Sequence, residues 1–200
     1  MPWPKDRKSR THQRIVQGAA AAFRARGVSA VPVDQIMETV GLTRGGFYAH
    51  FDSKEDLVAE ALEHAEHQTL ASLSSSFGSA PAERRLQAAI DAYLSSGHAK
   101  HPEQGCPVAA LGVELSRTHA KARRGLKRTI RGRLEWMRSL AADGPSQLRK
   151  EELVGAMACM IGGITLARAV GDKDSADILR ACRRFLRRVL PEPASPRRTR

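Results

Sequence analysis

The residues best suited to specific chemistry lie between Val33 and Lys54, where the pattern reads helix, Gly41-Leu42, helix. Two helices joined by a tight, glycine-containing turn form a helix-turn-helix, whose second helix enters the major groove of double-stranded DNA. Gly41 suits the turn because glycine adopts a positive φ without steric cost. Residues 1–50 also hold eight Lys or Arg against three Asp or Glu, a balance that attracts phosphates. The sequence therefore predicts a DNA-binding head.

The order of residues in the second helix indicates how it would meet DNA. Thr43 occupies the expected N-cap, from which its hydroxyl could also reach a phosphate. The guanidinium of Arg44 either bonds bidentately to guanine, worth about 1–3 kcal/mol of discrimination, or contacts a phosphate. Gly45 and Gly46 each cost about 1 kcal/mol relative to Ala inside a helix. They either let the helix backbone approach DNA closely or leave the segment loose until binding orders it.

The rest of the chain predicts an all-α protein of about nine helices. Helical periodicity recurs along the 200 residues, of which 42% are hydrophobic, and sustained alternating runs are nearly absent. We expect a head at residues 1–55 and a larger helical body at 56–190, with Ser53 as the N-cap of the helix between them. Residues 72–81 are predicted to form a loop. The Pro- and Arg-rich end, 191–200, is predicted to be a disordered basic tail.

A further set of residues keeps one spacing over about 50 positions of the N-terminal part. It comprises Arg14-Ile15-Val16, Ala19-Ala20, Phe23, Gly27, Ile36, Gly41-Leu42-Thr43, Gly46-Phe47-Tyr48, His50-Phe51 and Ser53-Lys54-Glu55-Asp56-Leu57. This set resembles the signature of the TetR family of transcriptional regulators. The resemblance implies a homodimer that binds a palindromic operator, usually as a repressor, and is released when a small molecule enters its effector-binding and dimerisation body. It also implies that Tyr48, His50 and Lys54 donate hydrogen bonds to phosphates. The alternatives are that Tyr48 is a core anchor with its hydroxyl outward and that His50 is a packing histidine.

Candidate effector-binding residues lie in the body. Gly105-Cys106-Pro107-Val108 is similar, more loosely, to AcrR-like and electrophile-responsive members of the family. Cys106 precedes a predicted helix, whose macrodipole favours the thiolate that reacts with electrophiles or oxidants. The alternative for Cys106 is a small buried residue. Four further residues either line an apolar effector pocket or belong to the ordinary core: Trp136, Met137, Met157 and Met160.

A dimer interface is predicted from the long apolar segment Leu153 to Val170. This segment is apolar on every side, and one monomer of this size hardly buries such a helix completely. Small residues would let a partner helix pack closely, and together with the last helix they predict a two-fold four-helix interface. The residues expected there are Gly155, Gly162, Gly163, Ala167 and Phe185.

A basic run extends from Arg117 to Arg133, with eight Lys or Arg and no acid. One interpretation is a solvated face of a helix. The other is that its N-terminal part lies near the head and adds to the positive field that attracts DNA.

Several other functions lack the residues that they need. We find no nucleophile–base pair, carboxylate constellation, glycine-rich phosphate loop or metal-ligand set, so no enzyme activity, cofactor or metal is expected. The longest apolar stretch has 15 residues with three glycines, whereas a membrane span needs roughly 20. Together with three cysteines, an odd number, this favours a reducing cytosol and no membrane partner. The family resemblance implies that the cytosol is bacterial. The net charge of +12 leaves one competing interpretation, a nucleoid-type helical protein that binds DNA without sequence preference.

Overall fold

The computed structural model describes residues 5–118, 120–141 and 148–190, and within these ranges the regular structure is entirely helical. The predicted all-α class is therefore confirmed. The α-helices are α1 Lys5–Arg26, α2 Val33–Thr39, α3 Arg44–Phe47, α4 Lys54–Ser76, α5 Arg85–Tyr93, α6 Ser96–Lys100, α7 Pro107–Ser116, α8 Ala120–Ala141, α9 Lys150–Val170 and α10 Asp172–Val189. Short 3₁₀ turns occupy Ala82–Arg84 and Pro102–Gln104. The predicted tail, 191–200, lies outside the described residues.

The helix boundaries differ from the prediction in two places. The predicted loop at 72–81 is wrong over its first half because α4 continues to Ser76. There the hydroxyls of Ser75 and Ser76 donate hydrogen bonds to the carbonyl of Ser72, so these polar side chains find their partner within the helix. Helix α6 was not predicted. It begins where the Ser95 hydroxyl accepts a hydrogen bond from the His98 amide, which is the action of an N-cap.

The chain forms two compact units. The first consists of Met1–Thr69 and His101–Ile130, and the second of Leu70–Lys100 and Arg131–Arg200. Helix α4 crosses the predicted boundary at residue 55 without interruption. The predicted Ser53 cap is present, since its hydroxyl accepts a hydrogen bond from the Asp56 amide at 3.2 Å. The units therefore divide the chain elsewhere than the change in sequence pattern at residue 55.

The first unit has a core built from distant parts of the sequence. Ile15, Ala19 and Phe23, the predicted stripe of α1, are buried. Leu111 and Leu115 of α7 belong to the same cluster of buried side chains. The three N-terminal helices are therefore stabilised by a helix that begins 60 residues after the last of them ends.

In the second unit, α9 and α10 pack against each other and are joined at Gly171, whose φ is +78°. As the sequence analysis expected, a single chain does not bury α9 on every side. Val154, Leu166 and Val170 are exposed, because α10 and α6 cover only one side of the helix. By length and composition α9 could cross a membrane, a test that the core helix of a soluble protein also passes.

Candidate DNA interface

The turn between α2 and α3 is built as predicted. Gly41 has a φ of +71°, in the region that favours glycine. Its amide donates to the Glu38 carbonyl at 2.9 Å, and the Leu42 amide donates to the Met37 carbonyl at 2.8 Å. These two bonds form a Schellman motif, which satisfies the last carbonyls of α2. The chain is thereby turned so that α3 begins at Arg44.

Helix α3 has one buried and one exposed side. Phe47 is 1% exposed, and its ring stacks on that of Phe51 with 5.4 Å between the centroids. Arg44 and Gly45 are exposed, and Tyr48, the residue that ends the helix, is 64% exposed. The two phenylalanines anchor α3, so the other side of the helix is free to meet a partner.

The packing of the described residues does not require glycine at either of the two glycine positions of α3. A Cβ built at Gly45 would meet no described atom within 4 Å, and one at Gly46 would lie 3.6 Å from Met37 Cε, an ordinary contact. Thr43 occupies the predicted N-cap, but its hydroxyl makes no capping hydrogen bond. No described residue therefore explains a requirement for glycine here, and the Thr43 hydroxyl makes no capping bond that a partner would have to displace.

Arg44 is paired with a residue that the sequence analysis missed. Its Nη1 lies 3.1 Å from Oδ2 of Asp34, in the first turn of α2, while the Arg44 side chain remains 67% exposed. The pair links the two helices of the motif and restricts the directions that the guanidinium can take. The sequence shows only an acidic residue ten positions before Arg44. The two side chains become neighbours because the turn between α2 and α3 brings the helices together.

His50 lies half-buried behind the exposed face of α3. Burial lowers its pKa, and electrostatic interaction with His12 and Lys8 lowers it further. His50 is therefore neutral at pH 7 and suited to donating a hydrogen bond rather than to carrying a charge. His12 supports this region, because its ring stacks on Phe51 at 4.5 Å and its Nε2 lies 2.6 Å from Glu60 Oε2.

Lys54 points into the protein rather than towards the exposed face of α3. Its Nζ donates to the Val28 carbonyl at 2.6 Å and lies 5.9 Å from the centroid of the Phe23 ring. Burial lowers the pKa of Lys54, and the carboxylates of Glu114 and Glu55 oppose that shift. The structure therefore gives this ammonium a role in holding the loop between α1 and α2.

Glu114 of α7 holds the same loop, and the sequence analysis missed it. Its carboxylate accepts hydrogen bonds from the Val28 amide at 2.9 Å and from the amide and hydroxyl of Ser29 at 2.7 and 2.6 Å. Gly27 has a φ of +85°, and a Cβ there would lie 2.9 Å from Glu114 Oε2. The available signal was that Glu114 is the only charged residue in α7.

The environment of Glu114 favours its ionised form. Burial raises its pKa, but the hydrogen bonds from Ser29 and Val28 and the charge of Lys54 outweigh this, so that the pKa is lowered overall. We call the contact of Glu114 with Val28 and Ser29 the Glu114 clasp. It joins α7 directly to the loop that precedes the helix-turn-helix.

Arg24 forms a second connection within the first unit. The side chain is buried and donates to the Ala20 carbonyl at 3.0 Å, the Gly105 carbonyl at 3.0 Å and Oε1 of Gln68 at 2.7 Å. The Thr69 hydroxyl also donates to the Gly105 carbonyl, at 3.1 Å. The residue before Cys106 is therefore fixed to α1 and α4.

The predicted effector residues do not share one unit. Cys106 belongs to the first unit, at the N-cap of α7, and is fully buried, as the packing alternative expects. The other four belong to the second unit: Trp136, Met137, Met157 and Met160. The three methionines are buried, and the half-buried Trp136 ring has its centroid 6.2 Å from that of Phe77. Among the described residues, no group of three or more His, Cys, Asp or Glu could hold a metal ion.

The residues predicted for a dimer interface divide into two groups. Gly155 and Phe185 are exposed, and Gly162 faces open space. Gly163 and Ala167 are instead covered by their own chain. A Cβ at Gly163 would lie 2.9 Å from Cys182 Sγ and 3.0 Å from Leu94 Cδ2, so this glycine lets α10 approach α9 within the unit. These two residues do not belong to the exposed face.

Comparisons with known proteins agree over both parts of the chain. Residues 15–61 match the family described as bacterial regulatory proteins, tetR family, and residues 82–183 match the tetracyclin repressor-like C-terminal domain. An uncharacterised HTH-type transcriptional regulator of Mycobacterium tuberculosis is 30% identical over 189 residues, which cover 90% of this chain and 96% of the relative. The HTH-type regulator TtgR of Pseudomonas putida is 38% identical over 74 residues, 36% of this chain and 35% of that one.

Solved structures agree with the fold. A TetR transcriptional regulator from Chloroflexus aurantiacus superposes with a TM-score of 0.76 and 25% identity, covering 90% of this chain and 94% of that one. The reduced form of NemR from E. coli has a TM-score of 0.78 at 18% identity, covers 92% and 99% of the two chains, and supports the fold alone.

Proposed function

Because the chain belongs to the TetR family and is a DNA-binding transcriptional regulator, we propose that it is a homodimeric repressor, which binds a palindromic operator and leaves it when a small-molecule effector binds. The observation that carries the proposal is the two-sided construction of α3, which buries Phe47 and exposes Arg44, Gly45 and Tyr48. We expect it to act in the bacterial cytosol.

In the proposed complex, α3 lies in the major groove and Arg44 bonds to O6 and N7 of a guanine. Thr43, Tyr48 and His50 donate to phosphates, which fix the position of the helix without reading the sequence. The open space at Gly45 supports a close approach of the helix backbone to the bases. The Asp34 carboxylate orients Arg44 before DNA binds.

The proposed dimer is supported by an apolar face on the second unit. Every fourth residue of α9 along this face is apolar or small, and none is fully buried: Val154, Ala158, Gly162, Leu166 and Val170. On α10, Phe185 and Val189 are exposed at the same spacing. A two-fold interface over this face would give the protein two copies of α3, as an operator with half-sites in adjacent major grooves, about 34–36 Å apart, requires.

The proposed release acts through the contacts between α7 and the head. An effector changes operator binding only if it binds one arrangement of the protein better than another. The Glu114 clasp and the Arg24–Gly105 hydrogen bond would transmit a movement of α7 to the loop before α2 and to α1. A coupling of about 1–3 kcal/mol between effector and DNA is typical of such devices.

Selection of duplexes from a random pool by the full-length protein tests the proposal. We expect enrichment of an inverted repeat whose half-sites are centred one helical turn apart. Binding without any enriched sequence would instead support the nucleoid-type alternative. Enrichment of single half-sites without symmetry would contradict the homodimer.

A further inference from the structure

We propose that the outer face of the first half of α8, formed by Arg124, Lys127 and Arg128 and called the α8 strip, is a second phosphate-binding surface that holds duplex DNA beside the helix-turn-helix. The inference rests on the DNA-binding function of the protein and extends it to a site outside the motif. All three residues belong to the first unit and are exposed.

The eight basic residues of the 117–133 run have different surroundings. Arg133 is 1% exposed and its guanidinium lies 5.5 Å from the centroid of the Tyr93 ring, so it serves packing within the second unit. Lys121 forms an ion pair with Asp56 in the first turn of α4. The residues of the α8 strip, in contrast, form no ion pair with any described residue.

Helical register places the α8 strip opposite the buried side of α8. Ala122, Gly125 and Thr129 are buried, and a Cβ at Gly125 would lie 3.7 Å from the Cα of Ala59 on α4. The strip residues follow at i, i+3 and i+4 on the other side of the helix, where like charges repel one another. A polyanion along this face would relieve that repulsion.

The charge of the first unit shows why this face matters. Residues 1–69 carry nine Lys or Arg and nine Asp or Glu, because the acids of α4 cancel the basic excess of the head. Residues 101–130 carry six Lys or Arg and two Asp or Glu. The positive excess of the DNA-binding unit therefore comes from the residues between Arg117 and Arg128, on a helix that packs on α4.

The salt dependence of DNA affinity provides the test, because each phosphate contact contributes about 0.9 to the slope of log affinity against log salt concentration. The probe is a fluorescent 30-base-pair duplex of mixed sequence, followed by anisotropy. In the triple variant Arg124→Gln, Lys127→Gln, Arg128→Gln the slope should fall in magnitude by about 2–3 for each bound protomer, and affinity at 0.1 M salt should fall roughly 100-fold or more.

Two matched variants separate contact from net charge and from folding. Arg138→Gln, Lys150→Gln, Lys173→Gln removes the same charge from exposed residues of the second unit and should leave the slope unchanged. Arg124→Lys, Lys127→Arg, Arg128→Lys keeps the charge and should retain the wild-type slope. Circular dichroism should show equal helicity in all variants.

The outcomes distinguish this inference from the proposed function. Equal slopes for the strip variant and the second-unit control would overturn the α8 strip while leaving operator binding intact. Loss of affinity for the selected operator alone, with the mixed duplex unaffected, would also overturn it, since phosphate contacts are blind to sequence. If the wild-type protein selects no operator, the proposed function is contradicted, whatever the salt slope of the strip variant. A different result would identify a membrane surface, and not DNA, as the partner of the α8 strip. In that case the wild-type protein binds phosphatidylglycerol vesicles, the strip variant does not, and the salt slopes for DNA are equal.

Discussion

In both units, long charged side chains hold backbone segments by hydrogen bonds, but the exposed surfaces of the two units differ in chemical character. In the first unit Glu114 accepts hydrogen bonds from the α1–α2 loop, and Arg24 donates to the Gly105 carbonyl. In the second unit Arg168 donates to the carbonyls of His98 and Ala99, at 2.9 and 3.1 Å. Long charged side chains thus satisfy backbone groups at helix ends in both units.

The surfaces left over are different in kind. The first unit exposes polar and basic residues such as Arg44, Tyr48 and Lys127, whereas the second exposes Leu166 and Phe185. Contiguous apolar surface on a protein marks a site of association. This difference fits the proposal that the first unit binds a polyanion while the second pairs with a second copy of the chain.

The largest expected effect comes from breaking the apolar face of the second unit. Leu166→Glu should weaken dimerisation by about 3 kcal/mol or more, over 100-fold, because the two-fold axis would bring like charges into a buried interface. Sedimentation velocity across a concentration series measures this. Val113→Glu, at a 70% exposed apolar residue of the first unit, is the control and should leave the dimer intact. Equal behaviour of the two variants would contradict the assigned interface.

Next in size is the loss of base recognition in the first unit. Arg44→Ala should remove about 1–3 kcal/mol of operator preference from each half-site, since the guanidinium would no longer bond to guanine. Competition between selected and mixed duplexes measures the preference, and helicity and the dimer should be unchanged. An Arg44→Ala protein that keeps full preference would show that Arg44 contacts phosphate only.

The Glu114 clasp of the first unit should make the stability of the protein depend on pH. Because the pKa of Glu114 is lowered in the folded protein, its stabilisation is complete above its ordinary value of 4.5 and is lost as pH falls through the lower folded value. Glu114→Gln should lower the free energy of unfolding at pH 7 by about 1–2 kcal/mol and flatten this acid dependence. Urea unfolding between pH 3 and about 7 measures both effects.

Glu63→Gln, at an exposed carboxylate of α4, is the matched control and should keep the wild-type dependence on pH. If both variants flatten the acid dependence alike, the stabilisation does not come from the clasp.

A smaller effect is expected at Tyr48. Tyr48→Phe removes a hydroxyl from a 64% exposed ring and should weaken binding by about 1 kcal/mol for each protomer. The loss should be equal for operator and mixed duplexes, because a phosphate contact carries no sequence information. Anisotropy titrations with both duplexes decide this, and a loss confined to the operator would reassign Tyr48 to base contact.

The smallest effect distinguishes the two interpretations of Gly45. Gly45→Ala should stabilise α3 by up to about 1 kcal/mol, since a Cβ meets no described atom there. If the backbone approaches DNA closely, DNA affinity should nevertheless fall. If the glycine only keeps α3 loose, affinity should rise, because less ordering is needed on binding. Thermal unfolding and operator titration together separate these cases.

Much of the head could be predicted because its signals are local. The Gly41 turn, the Ser53 cap and the α1 stripe of Ile15, Ala19 and Phe23 depend on residues within one or two helical turns. Helix α6 escaped prediction because its short segment lies beside a Pro- and Gly-rich stretch, where the Ser95 cap gives a weak signal.

The sequence by itself determined the helical class, the family and the helix that we propose to face DNA, because periodicity, caps and motif spacing are properties of neighbouring residues. Only the tertiary structure decided that Glu114 holds the loop at Val28, that Lys54 points inward and that Gly163 faces Cys182. Periodicity shows which side of a helix is apolar or charged, but not which distant element covers it. That choice is made by packing between residues far apart in the chain.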